Sequence, residues 1–137
     1  MAIKILVLCT GNSCRSQMAE GFLKSFSRDF MVYSAGTHPE EEVNRYAVAV
    51  MKEKGIDISS QFPKNVNSFV NESFDYVITV CDNAREICPV FAGNVKHRLH
   101  VGFEDPAMVK GTDEEKLKIY RTVRDKIEKE FLILFGL

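Results

Sequence analysis

The chain opens with a nearly continuous apolar run, Ile3 to Cys9, interrupted only by Lys4. Its length and its β-branched and leucine content suit a parallel strand buried on both faces. The run stops at Thr10-Gly11-Asn12-Ser13, a turn cluster. From about Ser16 the spacing becomes helical, with Met18, Phe22, Leu23 and Phe26 on one face and Glu20, Lys24 and Arg28 off it. Residues 31–35 read as a second strand closed by Gly36. Val43, Tyr46, Ala47, Val50 and Met51 then mark a helix ended by Gly55. Residues 59–72 are polar, with a short helix expected over 66–70. Residues 75–81 form the clearest strand, followed by a short helix over 82–88, and residues 95–103 form a fourth strand with weaker alternation. Thr112 with Glu115 makes a capping box for a long terminal helix, whose buried stripe is Leu117, Tyr120, Val123, Ile127, Phe131 and Leu134. Four strands alternating with five helical stretches predict a parallel sheet with helices on both faces and right-handed crossovers.

Composition narrows the class. With 137 residues, 45% hydrophobic and 27% charged, the chain fits one domain over residues 1–137 whose core needs no disulfide staples. Eighteen basic against 19 acidic residues give a net charge of -1, with no basic stripe of the kind that tracks nucleic-acid phosphates. The apolar runs are far shorter than a membrane span. The start lacks the shape of a signal peptide, so a cytoplasmic protein is expected. In that reducing compartment four cysteines point to thiol chemistry or metal binding rather than structural bridges. Zinc sites favour C-x2-C pairs, and spacings of four and six intervening residues fit poorly. His38, His97 and His100 form no ligand pattern and read as surface or sheet residues, and residues 40–42 read as a solvated acidic run. No metal and no cofactor are expected.

Cys9-Thr10-Gly11-Asn12-Ser13-Cys14-Arg15-Ser16 joins the first strand to the first helix, where successive backbone N–H groups can converge on one anion. A cysteine under a helix N-terminus is favoured as thiolate. Arg15 offers a planar fork of donors for two oxyanion oxygens, and Ser16 can donate to the Cys9 sulfur. Gly11 and Asn12 tolerate the positive φ that a tight concave loop needs. The competing reading is an ordinary strand-to-helix turn with a buried, inert cysteine. Cys14 itself is expected to turn its side chain into the core.

This C-x5-R-S loop resembles that of the low-molecular-weight protein tyrosine phosphatase fold, in which the loop binds a tetrahedral oxyanion and the cysteine attacks it. The resemblance implies a doubly wound sheet of order 2-1-3-4, with Cys9 and Cys81 at one carboxyl edge, at the topological switch point. The C-x6-C pair Cys81 and Cys88 is similar to that of thioredoxin-coupled arsenate reductases. So are the run from Cys9 through Glu20, Tyr33-Ser34-Ala35-Gly36, Gly55-Ile56-Asp57-Ile58-Ser59 and Asp105-Pro106-Ala107.

What this second resemblance implies is a three-thiol relay on arsenate, with phosphate or sulfate as competing oxyanions. Cys9 attacks arsenate held by residues 10–15, Asp105 protonates the leaving oxygen, Cys81 attacks Cys9, Cys88 attacks Cys81, and thioredoxin resets the pair. A monomer is expected. One constraint follows from helical rise alone. A helix over 82–88 would hold the two cysteines about 10 Å apart, beyond the roughly 7 Å reach of a disulfide, so this segment is expected to rearrange on oxidation. Some similar reductases hold potassium near the loop through oxygen side chains. Here Phe62-Pro63-Lys64 stands at one such place, so no potassium site is expected, although Asn12, Glu20 and Ser34 remain. The rival readings are a phosphatase using Cys9, Arg15 and Asp105, and a redox or oxyanion sensor. Ala107-Met108 lacks the aromatic rings with which phosphatases of this fold often flank phosphotyrosine.

Overall fold

A computed structural model describes residues 2–82 and 88–137. In chain order the elements are strand β1 (Ile3–Cys9), helix α1 (Arg15–Phe26), strand β2 (Phe30–Gly36), helix α2 (Arg45–Lys52), a 3-10 turn (Val66–Phe69), strands β3 (Ser73–Thr79) and β4 (Asn94–His100), a second 3-10 turn (Pro106–Met108), and helix α3 (Asp113–Leu134). The four strands are parallel and ordered β2-β1-β3-β4, the order that the family resemblance implied. The expected helix over residues 82–88 falls largely on residues outside those described.

Strand alternation divides the core. Ile5, Val7 and Cys9 of β1 face a cluster with α1, α2 and α3, while Leu6 and Leu8 face a second cluster with Phe69, Phe74, Val77 and Phe91. Both faces of β1 are therefore apolar from Ile5 onward, as the hydrophobic run after Lys4 required. The three α-helices share the first cluster. Among the described residues, the second face is covered by the Val66–Phe69 turn and the segment carrying Phe91. The expected helix at 66–70 is thus a single 3-10 turn, started by the Asn65 side chain accepting from the Asn67 N–H. β4 is one of the two edge strands, largely exposed and carrying Lys96 and Arg98, which explains its weak alternation and discourages further strand pairing.

Helix α3 begins at the expected capping box: Thr112 accepts from the Glu115 N–H and Glu115 returns the bond to the Thr112 N–H. Tyr120, Val123, Ile127 and Phe131 are buried as the stripe requires, and Arg124 joins them. Helix α1 departs from its reading, because Glu20, expected off the apolar face, is buried with every other residue from Arg15 to Leu23. Between the sheet and the other two helices, α1 has no solvent face over its first two turns.

Candidate active site

The loop after β1 is shaped by what its carbonyls bind. Thr10, Gly11 and Ser13 oxygens accept from the N–H groups of His38, Glu40 and Asn44. In a trans peptide the next N–H points opposite the carbonyl, so the N–H groups of Gly11, Asn12 and Cys14 turn toward the concave side. That is the orientation the expected anion cradle calls for. Asn12 adopts φ 50°, the left-handed conformation that Asn accepts at modest cost. The neighbouring strand end presses close as well: a Cβ on Gly36 would lie 2.3 Å from the Thr10 oxygen, so only glycine fits beside the loop.

Asn12 is also the hub beneath the loop. Its amide nitrogen donates to Ser16 Oγ at 2.8 Å and Ser34 Oγ at 2.9 Å, and its oxygen accepts from the Lys64 N–H at 2.9 Å. Ser34 in turn donates to Glu20 Oε1 at 2.6 Å. Gln17 donates to the Asn12 and Phe62 carbonyls. Lys64 Nζ lies 3.9 Å from Glu20 Oε1, so the lysine brings its ammonium to the cluster of Asn12, Glu20 and Ser34 oxygens. Burial pushes the Lys64 pKa below the ordinary lysine value, and Glu20 opposes that shift.

The loop opens into a cleft of about 330 Å³ lined by residues 9–15, His38, Glu40, Asp105, Ala107 and Met108. Cys9 ends β1 and is buried at its floor. Arg15 starts α1, donates from Nη1 to the Phe103 carbonyl at 3.0 Å, and holds Nη2 3.7 Å from Asp105 Oδ2. Asp105 caps the second 3-10 turn by accepting from the Ala107 N–H at 3.0 Å. One end of its carboxylate is thus held by the backbone and the other faces Arg15. Ser16 is fully buried under the loop. Cys14 points into the core, as expected, and burial raises its thiol pKa well above the usual value.

The β1–β3 register ends at Leu8 opposite Thr79 and continues with the Val80 N–H donating to the Leu8 oxygen. Cys9 and Cys81 therefore sit at the carboxyl ends of adjacent strands. Cys81 is fully buried and forms a disulfide with Cys88, with Cα atoms 5.8 Å apart. The sequence missed two members of the surroundings. His38 lies on the cleft rim, carried there by the segment that clamps the loop. His100, read as a sheet residue, brings a ring nitrogen within 4.8 Å of both Cys81 and Cys88 sulfurs. Neither had a local signal, because each reaches the site through strand pairing or loop clamping across the chain.

The family model for low molecular weight phosphotyrosine protein phosphatase matches residues 4–135. The chain belongs to this family. Among its curated relatives, an arsenate reductase of Halalkalibacterium halodurans is 50% identical over 126 residues, covering 91% of this chain and 89% of the relative. An arsenate reductase of Bacillus subtilis is 48% identical over 124 residues, covering 90% and 88%. A solved arsenate reductase in a phosphate-binding state superposes with a TM-score of 0.81 at 32% identity, covering 98% of this chain and 97% of that one.

Proposed function

We propose that this protein is an arsenate reductase that uses Cys9, Cys81 and Cys88 in turn. The observation that carries the reading is the Cys81–Cys88 disulfide at the carboxyl edge of the sheet, one strand from the loop that holds Cys9. A phosphatase needs only the loop cysteine, whereas a reductant needs a partner pair to collect the oxidised state. The relatives named arsenate reductase and the phosphate-binding neighbour support an oxyanion substrate in the cleft.

In this mechanism arsenate sits in the backbone cradle of Thr10, Gly11, Asn12, Ser13, Cys14 and Arg15, with the Arg15 guanidinium on two oxygens. Ser16, whose Oγ accepts from Asn12, turns its hydroxyl proton to the Cys9 sulfur. The Cys9 thiolate attacks arsenic and an oxygen departs as water, protonated by Asp105. Cys81 then attacks the Cys9 sulfur, the sulfur–arsenic bond breaks, and arsenic keeps its electron pair and leaves as arsenite. Cys88 attacks Cys81, freeing Cys9 and leaving the Cys81–Cys88 disulfide. A cytoplasmic dithiol, thioredoxin, supplies the two electrons that reopen it. The whole chain serves as one domain and acts as a monomer in the cytoplasm.

The test is turnover of reduced protein with arsenate, thioredoxin, thioredoxin reductase and NADPH. Wild type cycles, while Cys88→Ser yields one arsenite per chain and stops at the Cys9–Cys81 disulfide. Mass mapping that finds Cys88 a free thiol in every molecule during sustained turnover rejects the relay. A phosphatase reading using Cys9, Arg15 and Asp105 is less favoured, because among the described residues no Phe, Tyr or Trp side chain lines the cleft to flank a phosphotyrosine ring. The shared loop still supports slow hydrolysis of small aryl phosphates.

A further inference from the structure

Reopening the Cys81–Cys88 disulfide requires one sulfur to be attacked and the other to leave. Cys81 is fully buried and Cys88 only partly so. An incoming thiolate therefore meets the Cys88 sulfur, and Cys81 is the sulfur released. Burial disfavours the charged form of a thiol and raises its pKa, and a thiol of higher pKa leaves more slowly. A proton delivered while the sulfur–sulfur bond breaks removes that cost.

His100 stands where it can supply the proton. The Cys81 and Cys88 sulfurs and a ring nitrogen of His100 lie within 4.8 Å of one another, a gap that one water spans. His100 ends β4 and pairs with Thr79, the end of β3. Thr79 Oγ1 donates to the Leu99 carbonyl at 3.5 Å and lies 2.7 Å from His100 Nδ1. With its own proton given to Leu99, the hydroxyl accepts from Nδ1–H, which leaves Nε2 to take up and release a proton. Nε2 lies on the side of the Cys81 backbone: a Cβ on Gly102 would meet Nε2 at 3.0 Å and the Cys81 oxygen at 3.1 Å. The ring is exposed, so it recharges from solvent.

We propose that His100 is the proton donor to Cys81 when a dithiol reductant reopens the disulfide. This rests on the relay reading and concerns only the step that starts from the closed disulfide. The reductant's thiolate attacks Cys88 Sγ, the Cys81–Cys88 bond breaks with its electron pair passing to Cys81, and the His100 imidazolium gives its Nε2 proton to that sulfur. A mixed disulfide joins the reductant to Cys88. The reductant's second thiol loses its proton to water, attacks the reductant's own bonded sulfur and releases Cys88, which is protonated by water. The dithiol supplies both electrons, and solvent returns the proton to His100. Among the described residues two charged side chains stand nearby. Arg98 lines the same shallow pocket as His100 and donates to the Phe91 and Gly93 carbonyls, and Asp82 follows Cys81 in the chain. His100→Gln leaves both in place, so a pH dependence that they cause persists in that variant.

The test needs no arsenate. Full-length protein is oxidised with diamide, mass mapping verifies the Cys81–Cys88 bridge, and its reduction by dithiothreitol is timed by quenched alkylation, each rate being divided by the thiolate fraction of the reductant. The corrected wild-type rate falls about tenfold or more between about pH 5 and pH 8, the interval in which histidine loses its proton. His100→Gln, verified as folded by circular dichroism, is slow at low pH, flat across the interval, and equal to wild type at its upper end. Glutathione, a monothiol, stops at the mixed disulfide, which acid trapping finds on Cys88 with Cys81 free. A flat wild-type profile overturns the proposal, as does an inflection that persists in His100→Gln, an equal slowing of that variant at every pH, a glutathione adduct on Cys81, or protein that diamide leaves unbridged. Arsenate turnover is measured separately. Turnover with a flat profile removes the role of His100 alone, and the inflection without turnover removes the relay while leaving His100 as the donor.

Discussion

Asn12 carries more of the site than its size suggests. It supplies the left-handed turn at φ 50°, two amide donors to buried serine hydroxyls and an acceptor for the Lys64 N–H. Truncation to alanine strands buried partners, each at a cost of about 1–3 kcal/mol, and puts an ordinary residue in the left-handed region at roughly 1–2 kcal/mol more. Relaxation recovers part of this, and Asn12→Ala is expected to lose about 3 kcal/mol in urea unfolding. Asn12→Gly relieves only the backbone component and regains about 1 kcal/mol. Equal stability of wild type and Asn12→Ala would show that the hub is not what holds the loop. The residue types of this loop were readable in the chain: Cys9, the φ-tolerant Asn12, and Arg15 followed by Ser16. Their support was not. Glu20 comes from α1, Ser34 from β2 and Lys64 from the connection after α2, and a polar residue on a helix reads as solvent-facing until its distant partners are known.

Between elements, the joint of α2 with α3 has an electrostatic component that no periodicity announces. Glu53, the C-cap of α2, accepts from Arg121 Nε and Nη2 and from Arg124 Nη1, and Arg124 Nη1 also donates to the Val50 carbonyl. Hydrogen bonding to Arg121, joined by that to Arg124, lowers the Glu53 pKa from 4.5 to about 2, against the opposing effect of burial. A carboxylate with a depressed folded pKa stabilises the fold above its unfolded value and loses that contribution as pH falls. The contribution of Glu53 is therefore complete above about pH 5 and lost between there and pH 2. Half-exposed and screened by solvent, it is worth about 0.5–1 kcal/mol. Glu53→Gln should lower stability by that amount at pH 7 and converge on wild type near pH 2, with the gap narrowing in high salt. A gap that stays constant from pH 7 to pH 2 rules out the charge as its cause. Capping and stripe were legible in α3, since Thr112, Glu115 and the apolar positions lie within one segment. The arginine at 124 was not, because its burial depends on the end of another helix.

Across the whole molecule, Arg15 is where the two halves of the cleft meet. It begins α1, yet its guanidinium donates to the Phe103 carbonyl and approaches Asp105, both beyond β4. An oxyanion entering the cradle thus touches groups from the first loop and from the last connection before α3. Binding to the native state alone stabilises it by about 2.7 kcal/mol when the free ligand is a hundred times its dissociation constant. Phosphate or arsenate added to the reduced protein should raise the melting temperature in a concentration-dependent way. Arg15→Lys keeps the charge but loses the planar fork, so it cannot bond the Phe103 carbonyl while gripping two anion oxygens. That variant is expected to lose most of the anion-dependent shift, whereas chloride at matched ionic strength should shift neither protein. Scanning calorimetry across a phosphate series decides the matter. Parallel curves for wild type and Arg15→Lys would mean that the backbone cradle holds the anion unaided, and that Arg15 serves only to tie α1 to the connection after β4.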